Sequence, residues 1–287
     1  MSGTLYVVAT PIGNLEDITL RALRVLREVD VIAAEDTRRT GKLLAHFAIT
    51  TPTISFHAHN ARSRVPQLVS RLQAGASVAV VTDAGTPGVS DPGVELVAAS
   101  AAAGIPVDPI PGPSAPLVAA IASGFPLDSL VILGFVPARS NGRTAFLTGI
   151  AATESAVTFF EAPHRIQLTL QEAAVVLGER QIVVGRELTK VHQEFVRGTA
   201  AEVLVALAEP KGEFTVVVAP RGPDPIEQEL PDDQSLANEF CALTNIEGGR
   251  RAAVAIVAKK YGRPVREIYA AIERAKNMSN DHRGLDV

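Results

Sequence analysis

Apolar and polar positions follow two rhythms along this chain. Apolar runs of four to seven residues recur, and segments with apolar residues at three- and four-residue spacing lie between them. The runs predict strands at Leu5–Ala9, Val29–Ala33, Thr53–Phe56, Val78–Thr82 and Val107–Ile110. The spaced segments predict helices at Asp17–Glu28, Thr37–Phe47, Arg62–Ala74 and Asp91–Ala103. The first of these carries Leu20, Leu23 and Leu26 at three-residue spacing, with Asp17 as its cap. Strand alternating with helix predicts a mostly parallel sheet with helices on its faces.

A second set follows Gly124-Phe125-Pro126. Its strands are expected at Leu130–Val136, Ala156–Phe160, Gln181–Val184, Glu194–Arg197 and Phe214–Ala219, and its helices at Arg143–Ala151, His164–Leu177 and Ala200–Ala208. A domain boundary near residues 117–126 divides an α/β domain over 1–120 from another over 121–222. The pattern then breaks. Residues 223–240 hold six carboxylates and no cation, punctuated by Pro223, Pro225 and Pro231. This reads as an acidic linker, placed at 223–234. From Cys241 to Val287 nine Lys or Arg face five Asp or Glu. Two helices fit there, Gly249–Tyr261 and Val265–Lys276, with a frayed tail after Asn277. The expected fold class is therefore α/β: two consecutive α/β domains with mostly parallel sheets, plus a small basic helical appendage over 235–287.

Composition narrows this picture little. The 287 residues are 47% hydrophobic and 20% charged, which suits a packed chain rather than a disordered one. A net charge of −4 excludes a wholly basic nucleic-acid coat but not a local basic face. A lone cysteine, Cys241, excludes an intramolecular disulfide framework and a multi-cysteine metal site. The longest apolar stretch, Ala115–Leu127, is interrupted by Pro116, Gly124 and Pro126 and falls short of the roughly 18 residues a membrane helix needs. No cation precedes Arg21, so Met1–Ala9 does not read as a secretory signal. A soluble cytoplasmic protein is expected.

Three Gly/Pro loops each follow a strand and open a helix: Thr10–Asn14, Asp83–Gly93 and Pro111–Ala115. In a parallel sheet they emerge at one edge, the carboxyl ends of the strands, where ligands of open α/β sheets bind. There is no G-x-x-x-x-G-K-[ST] loop and no G-x-G-x-x-G after the first strand. The loops also lack Lys and Arg. They suit a compact ligand held largely by backbone groups.

Leu5–Thr19, Ala34-Glu35-Asp36-Thr37-Arg38, Thr82–Pro87 and Ser90–Gly93 closely resemble the tetrapyrrole-methylase-like superfamily. Within it they are similar to the bacterial ribosomal RNA small subunit methyltransferase I family. Phe160–Arg165 and Gly185–Lys190 match that family's second domain. The resemblance covers roughly residues 4–220, with weaker motifs from 234 onward. It implies an S-adenosylmethionine-dependent enzyme with the cofactor between two α/β domains. It further implies a homodimer that methylates the ribose 2′-hydroxyl of a cytidine in the decoding region of 16S ribosomal RNA or of the small subunit. Members acting on tetrapyrroles tend to carry Gly-Asp-Pro where this chain reads Gly85-Thr86-Pro87, which favours the RNA branch. A methylase of a tetrapyrrole or a protein, or a non-catalytic ribosome-binding factor, stays open.

On that reading Pro11, Asp83, Ala84, Gly85, Thr86, Val89, Ser114 and Ala115 form the loop side of the cofactor site. Phe160 and Leu188 either sandwich the adenine or are plain core, and Phe214 and Thr215 begin the last strand beside it. Glu35, Asp36, Thr37, Arg38 and Arg39 form a charged knot that is either an ion-pair network or a substrate-facing cluster, with Arg38 on phosphate. The spacing of His57 and His59 is that of a metal pair, but no partner is obvious nearby and no metal is expected. His57 and Asn60 instead suit a polar wall. Candidate general bases are Glu35, Asp36, His57 and Glu161, and the sequence does not choose among them. Arg165 suits an RNA backbone, Lys190 either that or plain solvated surface, and Arg250, Arg251, Lys259 and Lys260 either RNA docking by the appendage or a solvated helix face.

Overall fold

The protein, seen in a computed structural model, is described for residues 2–88, 93–207, 211–222, 231–247, 249–261 and 263–281. The chain divides into two compact units, Met1–Pro220 and Arg221–Val287.

The first unit opens with strands β1 (Leu5–Val8), β2 (Val31–Ala34), β3 (Thr53–Ser55), β4 (Val78–Val81) and β5 (Val107–Ile110). They form one sheet in the order β3-β2-β4-β1-β5, every pair parallel. Strand β4 reads Val-Ala-Val-Val and is buried throughout, as a strand covered on both faces must be. Helices α1 (Leu20–Glu28) and α2 (Thr37–His46) pack on one face through Val25, Leu26, Leu43 and Leu44. On the other, α3 (Ala61–Gln73) and α4 (Val94–Ala102) pack through Leu68, Leu72 and Leu96. The cap of α1 is Thr19, whose side chain accepts from the Ala22 amide, not Asp17 as expected. Asp17 lies in a short 3-10 turn, Leu15–Asp17, because Asn14 accepts from the Glu16 amide and starts that turn first.

The second sheet holds β6 (Leu130–Phe135), β7 (Ala156–Glu161), β8 (Gln181–Arg186), β9 (Glu194–Thr199) and β10 (Phe214–Val218), in the order β6-β7-β10-β8-β9. Here the mostly parallel expectation fails. Only β6 and β7 pair parallel; β10 is antiparallel to both β7 and β8, and β9 to β8. The reason is loop length. Residues 187–193 are too few for a parallel crossover, which takes a dozen or more, so β8 and β9 make a hairpin. Apolar runs announce strands but not their direction. Helices α6 (Ser140–Ala152), α7 (Ile166–Leu177) and α8 (Ala200–Ala206) build the core of this half with Leu147, Ile150, Leu170 and Val203.

Two features tie the unit together. Helix α5 (Ala115–Ser123) spans the residues where a boundary was expected. It packs Ala119 and Val118 against Val183 and Val217 of the second sheet. Arg180 spreads its guanidinium over the carbonyls of Ala219, Ile150, Thr153 and Ser155, satisfying the exposed end of α6 and the flanks of β7 and β10.

Among its described residues the second unit has three helices, α9 (Asp233–Glu247), α10 (Arg250–Lys260) and α11 (Val265–Asp281), around Leu236, Phe240, Val254, Val257, Ile268 and Ile272. Helix α9 was missed, because its carboxylates read as linker. Leu236, Phe240 and Leu243, four and three apart, are its apolar stripe. Its carboxylates are engaged: Asp233 holds Arg274 at 2.7 Å, and Glu239 holds Lys260 and the Tyr261 hydroxyl. Helix α11 also runs past Asn277 to Asp281. Residues 223–230 of the expected linker lie outside the described residues. Among those described, no helix is long and apolar enough to cross a membrane.

Candidate functional site

The carboxyl ends of β1, β2, β4 and β5 share one edge of the first sheet, and the loops leaving them are stitched together. Thr10 and Gly85 exchange both backbone hydrogen bonds, at 2.9 and 3.0 Å. The Thr10 hydroxyl donates to the Thr82 carbonyl, and the Thr86 hydroxyl to the Pro113 carbonyl. Gly85 sits at φ +82°, a left-handed conformation that costs other residues about 1–2 kcal/mol. So three loops are one rigid cradle of backbone groups and small side chains.

Facing it are the ends of the second sheet. Strands β6, β7 and β8 run the same way, and β10 starts where they stop. Phe135, Phe160, Glu161, Leu188, Phe214 and Thr215 therefore meet at one edge. Between the two edges lies a cleft of about 380 Å³, lined from the first half by Ile12, Glu35, Arg39, Asp83–Thr86 and Ser114–Pro116.

The halves touch at the rim. Gly13 lies against the turn after β8 so closely that a Cβ there would sit 2.7 Å from the Leu188 carbonyl oxygen. The Asn14 amide donates to the Thr189 hydroxyl at 3.0 Å. That turn is strained: Glu187 and Thr189 hold φ of +49° and +63°. Such conformations persist only where surroundings over-determine them. Here Glu187 accepts from the Glu213 amide and from the Lys190 ammonium, which also bridges to Glu213 at 3.0 Å. The clamp presses Leu188, buried, into the cleft wall. Burial pushes Lys190 down, but its two carboxylate partners outweigh this and hold it above the ordinary lysine range.

The four candidate bases separate clearly. Glu35 lines the cleft; one oxygen accepts from the Asp83 amide at 3.2 Å, and the described residues show no other bond to its carboxylate. Asp36 is outside the lining. It caps α2 and grips Arg38 with both oxygens, and those hydrogen bonds from Arg38 hold it well below the usual carboxylate range. Glu161 lines the cleft but both oxygens are taken, by the Ala162 amide, Arg165 and the Thr169 hydroxyl. His57 is not in the lining; its Nε2 is 3.3 Å from Asn60, whose side chain braces the turn by accepting from the His57 amide.

The structure thus gathers Glu35, Asp83, Ala84, Gly85, Thr86, Ser114, Ala115, Phe160, Glu161, Leu188, Phe214 and Thr215 at one cleft. Pro11, Asp36, Arg38, His57, Asn60, Arg165 and Lys190 lie outside its lining, and Val89 falls outside the described residues. Arg38 is 88% exposed, while Arg165 is committed to Glu161 and the Val136 carbonyl. In the second unit Arg250 lies 3.8 Å from Glu273, Lys260 is paired with Glu239, and Arg251 is exposed. The side chain of Lys259 is outside the described residues. Lining roles at Ile12, Pro116, Phe135, Ala162, Pro163 and Glu213 were missed. All but Ile12, which sits in the first Gly/Pro loop, lie at a strand or helix end on the cleft edge, which is the signal that could have found them.

Residues 4–204 match the family described as tetrapyrrole (corrin/porphyrin) methylases. A protein of Synechocystis sp. called ribosomal RNA small subunit methyltransferase I is 46% identical over 93% of this chain and 96% of its own. The same name is carried by a Micromonospora olivasterospora protein, 42% identical over 97% of this chain and 89% of its own. Among solved structures, diphthine synthase aligns with TM-score 0.61 at 14% identity, covering 76% of this chain and 90% of that one. Uroporphyrin-III C-methyltransferase from Thermus thermophilus, in complex with S-adenosylhomocysteine, aligns with TM-score 0.55 at 20% identity, covering 76% and 97%. At these identities the two structures show a shared fold.

Proposed function

The chain belongs to the tetrapyrrole methylase family, and on that premise we propose that it is an S-adenosylmethionine-dependent methyltransferase of small-subunit ribosomal RNA. The RNA assignment is supported by relatives of that name at 42–46% identity across nearly the whole chain. The cofactor assignment is carried by the two-faced lining of the cleft.

The fit can be tested on the residues present. The volume, about 380 Å³, lies within the usual range for small-ligand sites. The backbone cradle at Ala84–Thr86 and Ser114–Ala115 suits the polar aminoacyl end of the cofactor. The apolar wall of Phe160, Leu188 and Phe214 suits its adenine. Glu35 supplies negative charge toward a cationic ligand, while the charge of Asp83 is paired with Arg39. When bound, the cofactor supplies a methyl group already activated on a sulfonium.

What remains for this chain is alignment and proton handling. The loops are cross-bonded to one another at Thr10–Gly85, Thr10–Thr82 and Thr86–Pro113, so little ordering is left for the reaction; well-oriented reactants gain up to about 7–11 kcal/mol. Glu35 is assigned as proton acceptor for the attacking hydroxyl, since it alone of the four candidates both lines the cleft and keeps an oxygen unengaged among the described residues. Asp83 positions it through the bond from its own amide to Glu35, and is itself held by Arg39 at 3.2 Å and by the Asp36 amide.

The finer assignment is the ribose 2′-hydroxyl of a cytidine in the decoding region, methylated by a cytoplasmic homodimer. It is supported by the motif resemblance of Glu35–Arg38 and Asp83–Pro87. RNA docking by Arg250, Arg251, Lys259 and Lys260 is supported by the net positive charge of residues 241–287.

The deciding experiment is mass mapping of small-subunit RNA modifications from cells with and without this protein, beside calorimetry with S-adenosylmethionine. One missing ribose methylation together with cofactor binding is the expected result. Cofactor binding with an unchanged RNA map would point to a tetrapyrrole or protein substrate, and no cofactor binding to a non-catalytic ribosome factor.

A further inference from the structure

Strand β6 is not regular. Leu130, Val131 and Ile132 pair in step with Ala156, Val157 and Thr158, but the register then shifts, and Phe135 rather than Gly134 lies beside Phe160. A one-residue shift turns a side chain to the opposite face of a sheet, and bulges of this kind re-aim side chains next to active sites. The bulge sets Phe135 at the cleft edge, its ring centroid 5.2 Å from that of Phe160 and tilted against it.

The two rings are differently placed. Phe160 is half-buried in the wall, with Phe214 and Leu188 buried beside it. Phe135 is 56% exposed. A lone exposed apolar side chain is ordinary. One that is turned by a bulge onto the lining of a cleft, packed at an angle against a second aromatic and still more than half exposed, can offer ring surface to an incoming ligand. Nucleobases of single-stranded RNA bind in this way, splayed from their neighbours and stacked on aromatic side chains. An enzyme that must bring one nucleotide to a fixed donor takes it out of the stack and holds it in a pocket.

We propose that Phe135 is the platform on which the base of the target nucleotide stacks, fixing the ribose beside Glu35. This rests on the reading of the protein as an RNA methyltransferase. Phe135 is a substrate-positioning residue distinct from the adenine wall formed by Phe160, Leu188 and Phe214. The stacked occupant is a nucleobase of the RNA, not the adenine of the cofactor.

The test compares Phe135→Ala, Phe135→Leu and Phe135→Trp in the full chain. Four quantities are read: KM and kcat for methylation of unmodified small ribosomal subunits, S-adenosylmethionine affinity by calorimetry, and the thermal midpoint. Because Phe135 is exposed, all three variants should fold. Phe135→Ala should lower kcat/KM for the subunit by about 5- to 150-fold, the range that one lost base–aromatic stack gives. Cofactor affinity should not change. Phe135→Trp should retain activity, and Phe135→Leu should resemble Ala because it restores apolar area without a π-face. Wild-type behaviour of the Leu variant would overturn the stacking role, as would a fall in cofactor affinity matching the fall in activity, which would return Phe135 to the adenine wall. If wild-type protein methylates subunits and no variant differs from it, the platform idea fails alone. If wild-type protein transfers no methyl group to the subunit or to its naked RNA, the functional reading fails and takes the platform with it.

Discussion

The two walls of the cleft are built by opposite means. The first sheet is wholly parallel and offers mainly its backbone: three loops cross-bonded at Thr10–Gly85 and Thr86–Pro113, their small residues letting a ligand come close. The second sheet is mixed and offers side chains: Phe160, Leu188 and Phe214, held by ion pairs at Glu161–Arg165 and Glu187–Lys190–Glu213. Polar recognition comes from a surface that needs no side-chain ordering. Apolar recognition comes from one whose side chains must first be pinned. The same cleft therefore breaks differently on its two sides.

The largest effect is expected on the second wall. Glu161 is fully buried and satisfies Arg165, Thr169 and the Ala162 amide. Glu161→Ala leaves an arginine without its partner beside the core of the second sheet. Breaking a buried pair from one side costs about 3–5 kcal/mol. Arg165 keeps a fifth of its side chain in water, so the lower end applies. A fall in thermal midpoint of roughly 6–12 °C follows for a unit of this size. A midpoint within a degree of wild type would mean that the second wall does not depend on its ion pairs.

Next comes the seam. A methyl group at Gly13 would meet Lys190 Cγ at 2.6 Å and, at 2.7 Å, the Leu188 carbonyl oxygen and the Thr189 hydroxyl, on a turn already strained. Gly13→Ala should cost about 1–3 kcal/mol as overpacking and, by parting the walls, weaken cofactor binding more than stability alone explains. Gly85→Ala makes the contrast. Its Cβ has room, with Ile12 at 3.5 Å, so only the backbone strain of φ +82° is charged, about 1–2 kcal/mol. Calorimetry and melting on the pair decide the matter. If Gly85→Ala weakens the cofactor more than Gly13→Ala, the loop conformation matters more than the closeness of the walls.

How much of this was legible follows the same division. The loops of the first wall could be read from Thr10–Asn14, Asp83–Pro87 and Pro111–Ala115, because Gly and Pro report backbone conformation directly, although Ile12 rather than Pro11 lines the cleft. Strand ends came within one or two residues at β1, β4 and β10. The second wall was legible only in part. Phe160, Leu188, Phe214 and Thr215 were named from the resemblance, but neither the antiparallel insertion of β10 that brings the last two beside the others nor the register shift that turns Phe135 onto the edge was visible. Periodicity records which residues are apolar, not which strand lies next to which. Lys190 shows the other limit. A lone cation in a loop reads as free for phosphate, whereas its partner Glu213 is distant in sequence and its neighbour Glu187 is turned toward it only by a positive φ.

The smallest effect tests whether charge pins the second wall. Burial alone would raise Glu187 above its ordinary value of 4.5, but the bonds from Lys190 and the Glu213 amide prevail and lower it. A carboxylate lowered by folding contributes stability above its unfolded value, and that contribution is lost as pH falls through the folded one. Lys190 is raised, so its contribution is lost only on the far alkaline side, above 10.5. Glu187→Gln keeps an acceptor for the Glu213 amide and removes the charge. Near neutral pH it should lower the midpoint by about 1–4 °C, the equivalent of about 0.5–1 kcal/mol for a pair whose side chains keep about a quarter to a third of their surface in water. That difference should hold through neutrality, shrink as pH drops below 4.5, where the unfolded chain begins to take up the proton, and vanish below the lowered folded value, where the wild-type carboxylate is protonated too and the two proteins become alike. Melting curves of both at a series of pH values provide the check. A difference that stays constant into acid would show that shape, not charge, holds the strained turn, and the contrast between a backbone wall and an ion-pinned wall would lose its electrostatic half.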